Sequence, residues 1–86
     1  MRDVKFDSVA FQDYQEWTHT NPKIAKRIGE LIQDILRDPF KGIGKPEALK
    51  HNWQGHWSRR ITDEHRLVYK VTRENIIIAS CKFHYS

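Results

Sequence analysis

His84 and Tyr85 put an imidazole and a phenol almost at the end of this 86-residue chain, directly after the apolar run Ile76-Ile77-Ile78-Ala79. Such a run ties a tail into a sheet where it would otherwise fray, so the histidine is expected to be anchored yet reachable. Glu47, Arg60 and Arg66 complete a set that can act on a phosphodiester. Cleaving RNA through its own 2′-hydroxyl needs a base for that proton and an acid for the leaving 5′ oxygen. It also needs cations to hold charge on the transition state. Glu47, His84, Arg66 and Arg60 can fill those roles, and the products would carry 2′,3′-cyclic phosphate and 5′-hydroxyl ends. The fork of an arginine suits two phosphate oxygens at once, so lysine is expected to replace Arg66 poorly. Arginine neighbours also weaken a carboxylate as a base, which leaves a second reading of Glu47 open: it orients an arginine and the base comes from elsewhere.

Charge is distributed unevenly around these residues. Residues 1–40 hold six Lys/Arg against seven Asp/Glu, a net of −1, whereas residues 41–86 hold nine against four, a net of +5. His51, His56, His65 and His84 lie in the same basic half. A polyanion is the natural partner for such a surface, and a solvated basic face that only maintains solubility is the plain alternative.

At 86 residues the chain is expected to form one domain, residues 1–86, of modest stability, with its three Trp, four Phe and three Tyr supplying much of the apolar burial. The single Cys81 cannot make an internal disulfide, and it lacks the surroundings of a nucleophile. No signal segment opens the chain and no apolar run approaches the roughly 20 residues of a membrane span, so a cytoplasmic protein without membrane association is expected. No cofactor is expected, and no metal site either. Cys81 and His84 are three apart, which on a strand sends them to opposite faces, and no histidine spacing matches a zinc site.

The elements that must position the candidate residues follow from periodicity. Arg2 to Phe6 reads as a short opening strand with Val4 and Phe6 on one side. Phe11, Tyr14 and Trp17 then recur at three-residue spacing in a helix that Asp7 or Ser8 can cap. A second helix starts at Pro22, carries the stripe Ile24, Ile28, Leu31, Ile32 and Ile35, and stops at Asp38-Pro39. Residues 42–50, with two glycines and a proline, read as a loop, and Gly44-Lys45-Pro46 does not fit a phosphate-binding P-loop. From Trp57 onward three strands joined by short turns predict an antiparallel meander covered on one face by both helices. Arg59, in phase with Trp57 and Ile61, is expected to lie at the surface in a salt bridge or with its head snorkelling to water. The last strand is expected to run through the tail, with Ile76, Ile78, Ser80, Lys82 and His84 on one face.

Three segments stand in order: Gly44-Lys45-Pro46-Glu47-Ala48-Leu49-Lys50-His51, then Gly55-His56-Trp57-Ser58-Arg59-Arg60-Ile61-Thr62-Asp63-Glu64-His65-Arg66-Leu67-Val68-Tyr69, then His84-Tyr85. With the helix pair and the Asp38-Pro39-Phe40 break, the chain resembles, over nearly its whole length, the YoeB-type toxins of the RelE-like superfamily. The resemblance implies an α+β fold with two N-terminal helices packed on a mainly antiparallel twisted sheet. It implies a toxin of a type II toxin–antitoxin system, a ribosome-dependent messenger RNA endoribonuclease working without metal. On that resemblance Glu47 is the general base, Arg66 contacts the reacting phosphate with support from Arg60, His84 is the general acid, and Tyr85 shapes the site. Lys50, His51, Arg59 and Lys82 join them as RNA-binding candidates. The partners implied are a YefM-like antitoxin, the ribosome with its message, and a second copy in a homodimer. No helix-turn-helix is legible, so DNA is expected to be reached only through the antitoxin complex. Two departures stand out: Ser86 extends past the usual terminal tyrosine, and Trp53 occupies a loop position where a smaller apolar residue is common. A non-catalytic basic module that blocks translation by binding RNA or the ribosome is the competing function.

Overall fold

The computed structural model describes residues 1–83. It contains β1 (Asp3–Phe6), α1 (Ser8–Thr20), α2 (Pro22–Arg37), β2 (Glu47–Ala48), a single 3-10 turn (His51–Trp53), β3 (His56–Arg60), β4 (Arg66–Val71) and β5 (Asn75–Ser80). The five strands form one sheet in the order β1-β5-β4-β3-β2. All neighbours are antiparallel except β1 and β5, which pair in parallel from Asp3–Asn75 to Phe6–Ile78. The expected α+β architecture is present, with the β3-β4-β5 meander at its centre.

Each helix has a visible cause. α2 begins at Pro22, directly after Asn21, where a missing N–H costs nothing, and buries Ala25, Ile28, Leu31 and Ile35 on one side. It ends at Asp38 because the residue before Pro39 is pushed to extended angles, φ −155° and ψ 108°. α1 buries Ala10 and Trp17 and leaves Phe11 half exposed. A three-residue spacing falls behind the 3.6-residue turn by about 60° each step, so Phe11 and Trp17 cannot share one face. Phe11 and Tyr14 instead stack around Phe6, with ring centroids 6.4 and 5.8 Å away.

The core is closed by Leu67 and Tyr69 of β4 and Ile76 and Ile78 of β5 beneath the helices. Two elements depart from expectation. Residues 47–48, read as loop, form the edge strand β2. The last strand stops at Ser80, after an irregularity opposite Val68 and Tyr69, rather than running on through the tail. Strand alternation therefore ends there, and Cys81 turns fully into the core.

Arg59 overturns its sequence reading more completely. It lies on the helix-facing side of β3 and is wholly buried. Its Nη1 donates to Asp34 Oδ2 at 2.5 Å and to the Ile43 carbonyl at 3.1 Å, Nη2 to the carbonyls of Asp38 (2.7 Å) and Lys41 (3.2 Å), and Nε to the Tyr69 hydroxyl at 3.2 Å. The Tyr69 hydroxyl in turn donates to the Pro39 carbonyl at 2.6 Å. Neither water nor RNA reaches this guanidinium, which is neither a surface salt bridge nor an RNA contact.

The Ile43 amide hydrogen bond to the Asp34 carboxylate, together with Arg59 and Arg37, holds that carboxyl down from its ordinary 3.8 to about 2, against the opposing effect of burial. A carboxyl depressed in the folded state stabilises the fold above its unfolded pKa and ceases to do so as pH falls toward the folded value. The wild type is expected to lose stability between about pH 4 and pH 2 in urea melts, and Asp34→Asn is expected to flatten that loss. Asp34→Ala, which leaves Arg59 buried without its counter-charge, is expected to cost about 3–5 kcal/mol at neutral pH. A cost below about 1 kcal/mol in the same melts would remove the Asp34–Arg59 pair from its structural role.

Candidate functional site

The Arg59 cage sets the course of the chain between α2 and β2. Gly44 sits at φ +80°, and a Cβ there would come within 2.8 Å of the Leu31 side chain, so only glycine lets the loop pass so close to α2. Its carbonyl accepts the Arg60 amide at 2.6 Å. Three residues later Glu47 pairs with Ser58 and Ala48 with Trp57, and the Leu49 amide continues the ladder to the His56 carbonyl at 2.9 Å.

Pairing also decides which candidates meet. Arg60 lies directly opposite Arg66, as Ser58 lies opposite Val68. Because alternate residues share a face, Glu47, Ser58, Arg60, Arg66 and Val68 point away from the side that Arg59, Leu67 and Tyr69 occupy. Directly opposed residues bring their Cβ atoms to about 5 Å, and the Glu47–Arg60 diagonal spans about 7–8 Å, within reach of long side chains. Two arginines facing each other across a ladder repel, and an anion between them would relieve that repulsion. Arg60 is exposed, while Arg66 is partly buried and anchored through Nη1 to the carbonyls of Thr62 (2.7 Å), Asp63 (3.1 Å) and His65 (3.1 Å). That anchor holds one nitrogen of the fork on the turn between β3 and β4.

Beside Glu47 a cleft of about 410 Å³ is lined by residues 47–53, and so brings Lys50 and His51 to the same loop. His51 adopts φ +57° at the start of the 3-10 turn. Trp53 closes the turn edge-on against His56, 5.3 Å between rings, and the buried His56 Nδ1 has no hydrogen-bond partner among the described residues.

Lys82 is placed differently from its expected strand face. It turns to α1, where Nζ pairs with Glu16 at 2.6 Å and lies 5.5 Å from the Trp17 ring and 5.3 Å from the Phe83 ring. His84 and Tyr85, the expected acid and its neighbour, lie outside the described residues. The segment that precedes them is held from several sides. Trp17 Nε1 donates to the Cys81 carbonyl at 2.8 Å, the Phe83 amide donates to His65 Nδ1 at 2.8 Å, and the Arg66 amide donates to the Phe83 carbonyl at 3.1 Å. Burial pushes the Cys81 thiol up to about 12, with the nearby Asp13 charge adding to the effect, which removes it as a nucleophile. Burial raises Asp13 as well, against its hydrogen bond from the Cys81 amide.

Sequence reasoning missed His65 and Asp34. His65 stands in the His65-Arg66-Leu67-Val68-Tyr69 segment next to a residue singled out. Asp34 follows Leu31 by three residues on α2, where a carboxylate flanking a buried stripe signals a buried cation.

No group of three or more His, Cys, Asp or Glu able to hold a metal occurs among the described residues, and no helix among them is long and apolar enough to cross a membrane.

Residues 6–85 match the family model described as YoeB-like toxin of bacterial type II toxin-antitoxin system. The chain is 57% identical over 76 residues to Toxin YoeB of Escherichia coli strain K12, covering 88% of this chain and 90% of the relative. Among solved structures it is similar to the YoeB–YefM toxin–antitoxin heterotetramer from Staphylococcus aureus, at 48% identity, TM-score 0.90 and 99% of each chain. It is also similar to the YoeB dimer from the same organism, at 48% identity, TM-score 0.92 and 98% of each chain. A family-model match over residues 6–85, with similarity of sequence and fold over nearly the whole length, places the chain in one family: it belongs to the YoeB-like toxins of bacterial type II toxin–antitoxin systems.

Proposed function

We propose that this toxin is a ribosome-dependent messenger RNA endonuclease that cuts by metal-free acid–base chemistry. The observation that carries the reading is the facing pair Arg60 and Arg66 with Glu47 one strand away on the same side of the sheet. An RNA phosphate seated between the two guanidinium groups brings its 2′-hydroxyl within range of the Glu47 carboxylate. Glu47 takes the 2′ proton, O2′ attacks phosphorus, and the negative charge that grows on the equatorial oxygens falls on Arg66 and Arg60. His84 protonates O5′ as the P–O5′ bond breaks, and Tyr85 shapes the site. The fragments carry a 2′,3′-cyclic phosphate and a 5′-hydroxyl, and water exchanges the two protons back. Lys50 and His51, in the loop that carries Glu47, follow the RNA backbone toward the cleft.

The ribosome presents the message in this reading, in the cytoplasm. A YefM-like antitoxin and a second copy of the chain are its protein partners, supported by the Staphylococcus aureus complex and dimer of similar chains. The antitoxin covers Arg60, Arg66 and His84 with acidic or aromatic side chains, and DNA is reached only through that complex.

Purified protein mixed with translating ribosomes and a defined message tests the mechanism. Glu47→Ala and His84→Ala are expected to abolish cleavage while ribosome binding changes little, and chelator is expected to have no effect on the wild type. Stalled ribosomes carrying an intact message would instead indicate a binding module without catalysis. Arg66→Ala is expected to lower the cleavage rate about a hundredfold or more, the scale of losing one transition-state donor, and Arg66→Lys to recover little of it. An Arg66→Ala rate within a few-fold of wild type would exclude the phosphate role.

A further inference from the structure

We infer that His65 is a positioning residue for catalysis: by accepting the Phe83 amide proton on Nδ1, it fixes the peptide from which the last three residues depart. The inference rests on the proposed role of His84 as the acid.

His65 is buried and wedged between Trp17, 4.8 Å edge to face, and Phe83, 5.5 Å between rings. An N–H donor 2.8 Å from Nδ1 requires that nitrogen to be unprotonated, which puts the ring proton on Nε2, 3.6 Å from Glu64 Oε1. The next residue, Arg66, binds the other end of the same unit, its amide donating to the Phe83 carbonyl at 3.1 Å. That oxygen belongs to the planar peptide joining Phe83 to residue 84, so two consecutive residues, His65 just before β4 and Arg66 at its start, hold both polar backbone groups of Phe83. Phe83 sits at φ +62°, a conformation that a bulky side chain adopts only under outside constraint. The constraint is needed because β5 has already ended at Ser80, and among the described residues beyond it, 81–83, no strand ladder guides the chain. His65 and Arg66 thus hold the last described residue before the proposed acid against the segment that carries the proposed phosphate ligand. A one-ångström misplacement of a catalytic group is enough to lose about two orders of magnitude in rate.

The test compares His65→Leu with His65→Asn, whose side-chain oxygen can stand near the position of Nδ1. His65→Leu is expected to lower the single-turnover cleavage rate at least about tenfold, with the half-saturating ribosome concentration unchanged, and His65→Asn to recover most of the loss. Amide exchange at Phe83 is expected to accelerate in His65→Leu and to stay slow in His65→Asn. Should His65→Leu fail to fold, Trp17→Phe, which deletes the donor to the Cys81 carbonyl, is expected to give the same pattern more weakly. Equal rates in the leucine and asparagine variants, or unaltered Phe83 exchange in His65→Leu, would overturn the inference. Wild-type protein that leaves the message intact would overturn the nuclease reading and the catalytic part of this one together, while the exchange data would still decide whether the clamp exists.

Discussion

The whole molecule turns on one guanidinium that has no business being dry unless every donor is met. Arg59 satisfies that demand by drawing in a carboxylate from α2, a tyrosine hydroxyl from β4 and three backbone carbonyls from the loop that follows α2. An apolar residue of similar volume could fill the space, and buried ion pairs are often no more stabilising than such replacements. It could not hold the loop. Residues 38–43 offer few apolar side chains to the core, and Phe40 and Ile43 remain substantially exposed. Their course is set by carbonyl oxygens converging on one cation, and that course delivers Glu47 to β3 in register with Ser58.

β3 therefore divides two neighbouring arginines between opposite tasks. Arg59 points inward and organises the scaffold, while Arg60 points outward and faces Arg66. A one-residue slip of β3 would exchange them, placing an unsatisfied guanidinium in the core and the cage-forming arginine in solvent. The cost of that exchange protects the register. The geometry of the exposed site is thus enforced by the buried one, although the two share no hydrogen bond between their guanidinium groups.

The parts of the fold that were legible in the sequence are those that depend on local period. The α2 stripe, the Pro39 stop and the β3-β4-β5 meander all follow from apolar spacing within a single segment. β2 was not legible, because two residues after a glycine- and proline-rich stretch have no period, and their strand character comes from pairing with β3. Arg59 was misread because its side-chain type argued for solvent; its inward phase with Trp57 and Ile61 was the better signal. The strand predicted through residue 84 failed for the converse reason. Alternation in the sequence continues past Ser80, but nothing in it reports that Cys81 would be taken by Ala10 and Trp17 of α1. The Glu47, Arg60 and Arg66 face could be anticipated in residue type, whereas their adjacency needed the cross-strand register.

The proposed site joins two kinds of support that differ in stiffness. Glu47, Arg60 and Arg66 ride on paired strands, Glu47 on the edge strand β2 against β3 and the two arginines opposite each other on β3 and β4, with the core behind the sheet. The tail leaves the sheet at Ser80 and is held by individual side chains of α1 and by His65. Hydrogen bonds of this kind contribute about 1 kcal/mol each, far less than the ladder and burial that hold a central strand. Residues 81–83 thus keep their course through individual hydrogen bonds to α1, His65 and Arg66 rather than through a ladder, and the proposed site depends on each of those bonds singly.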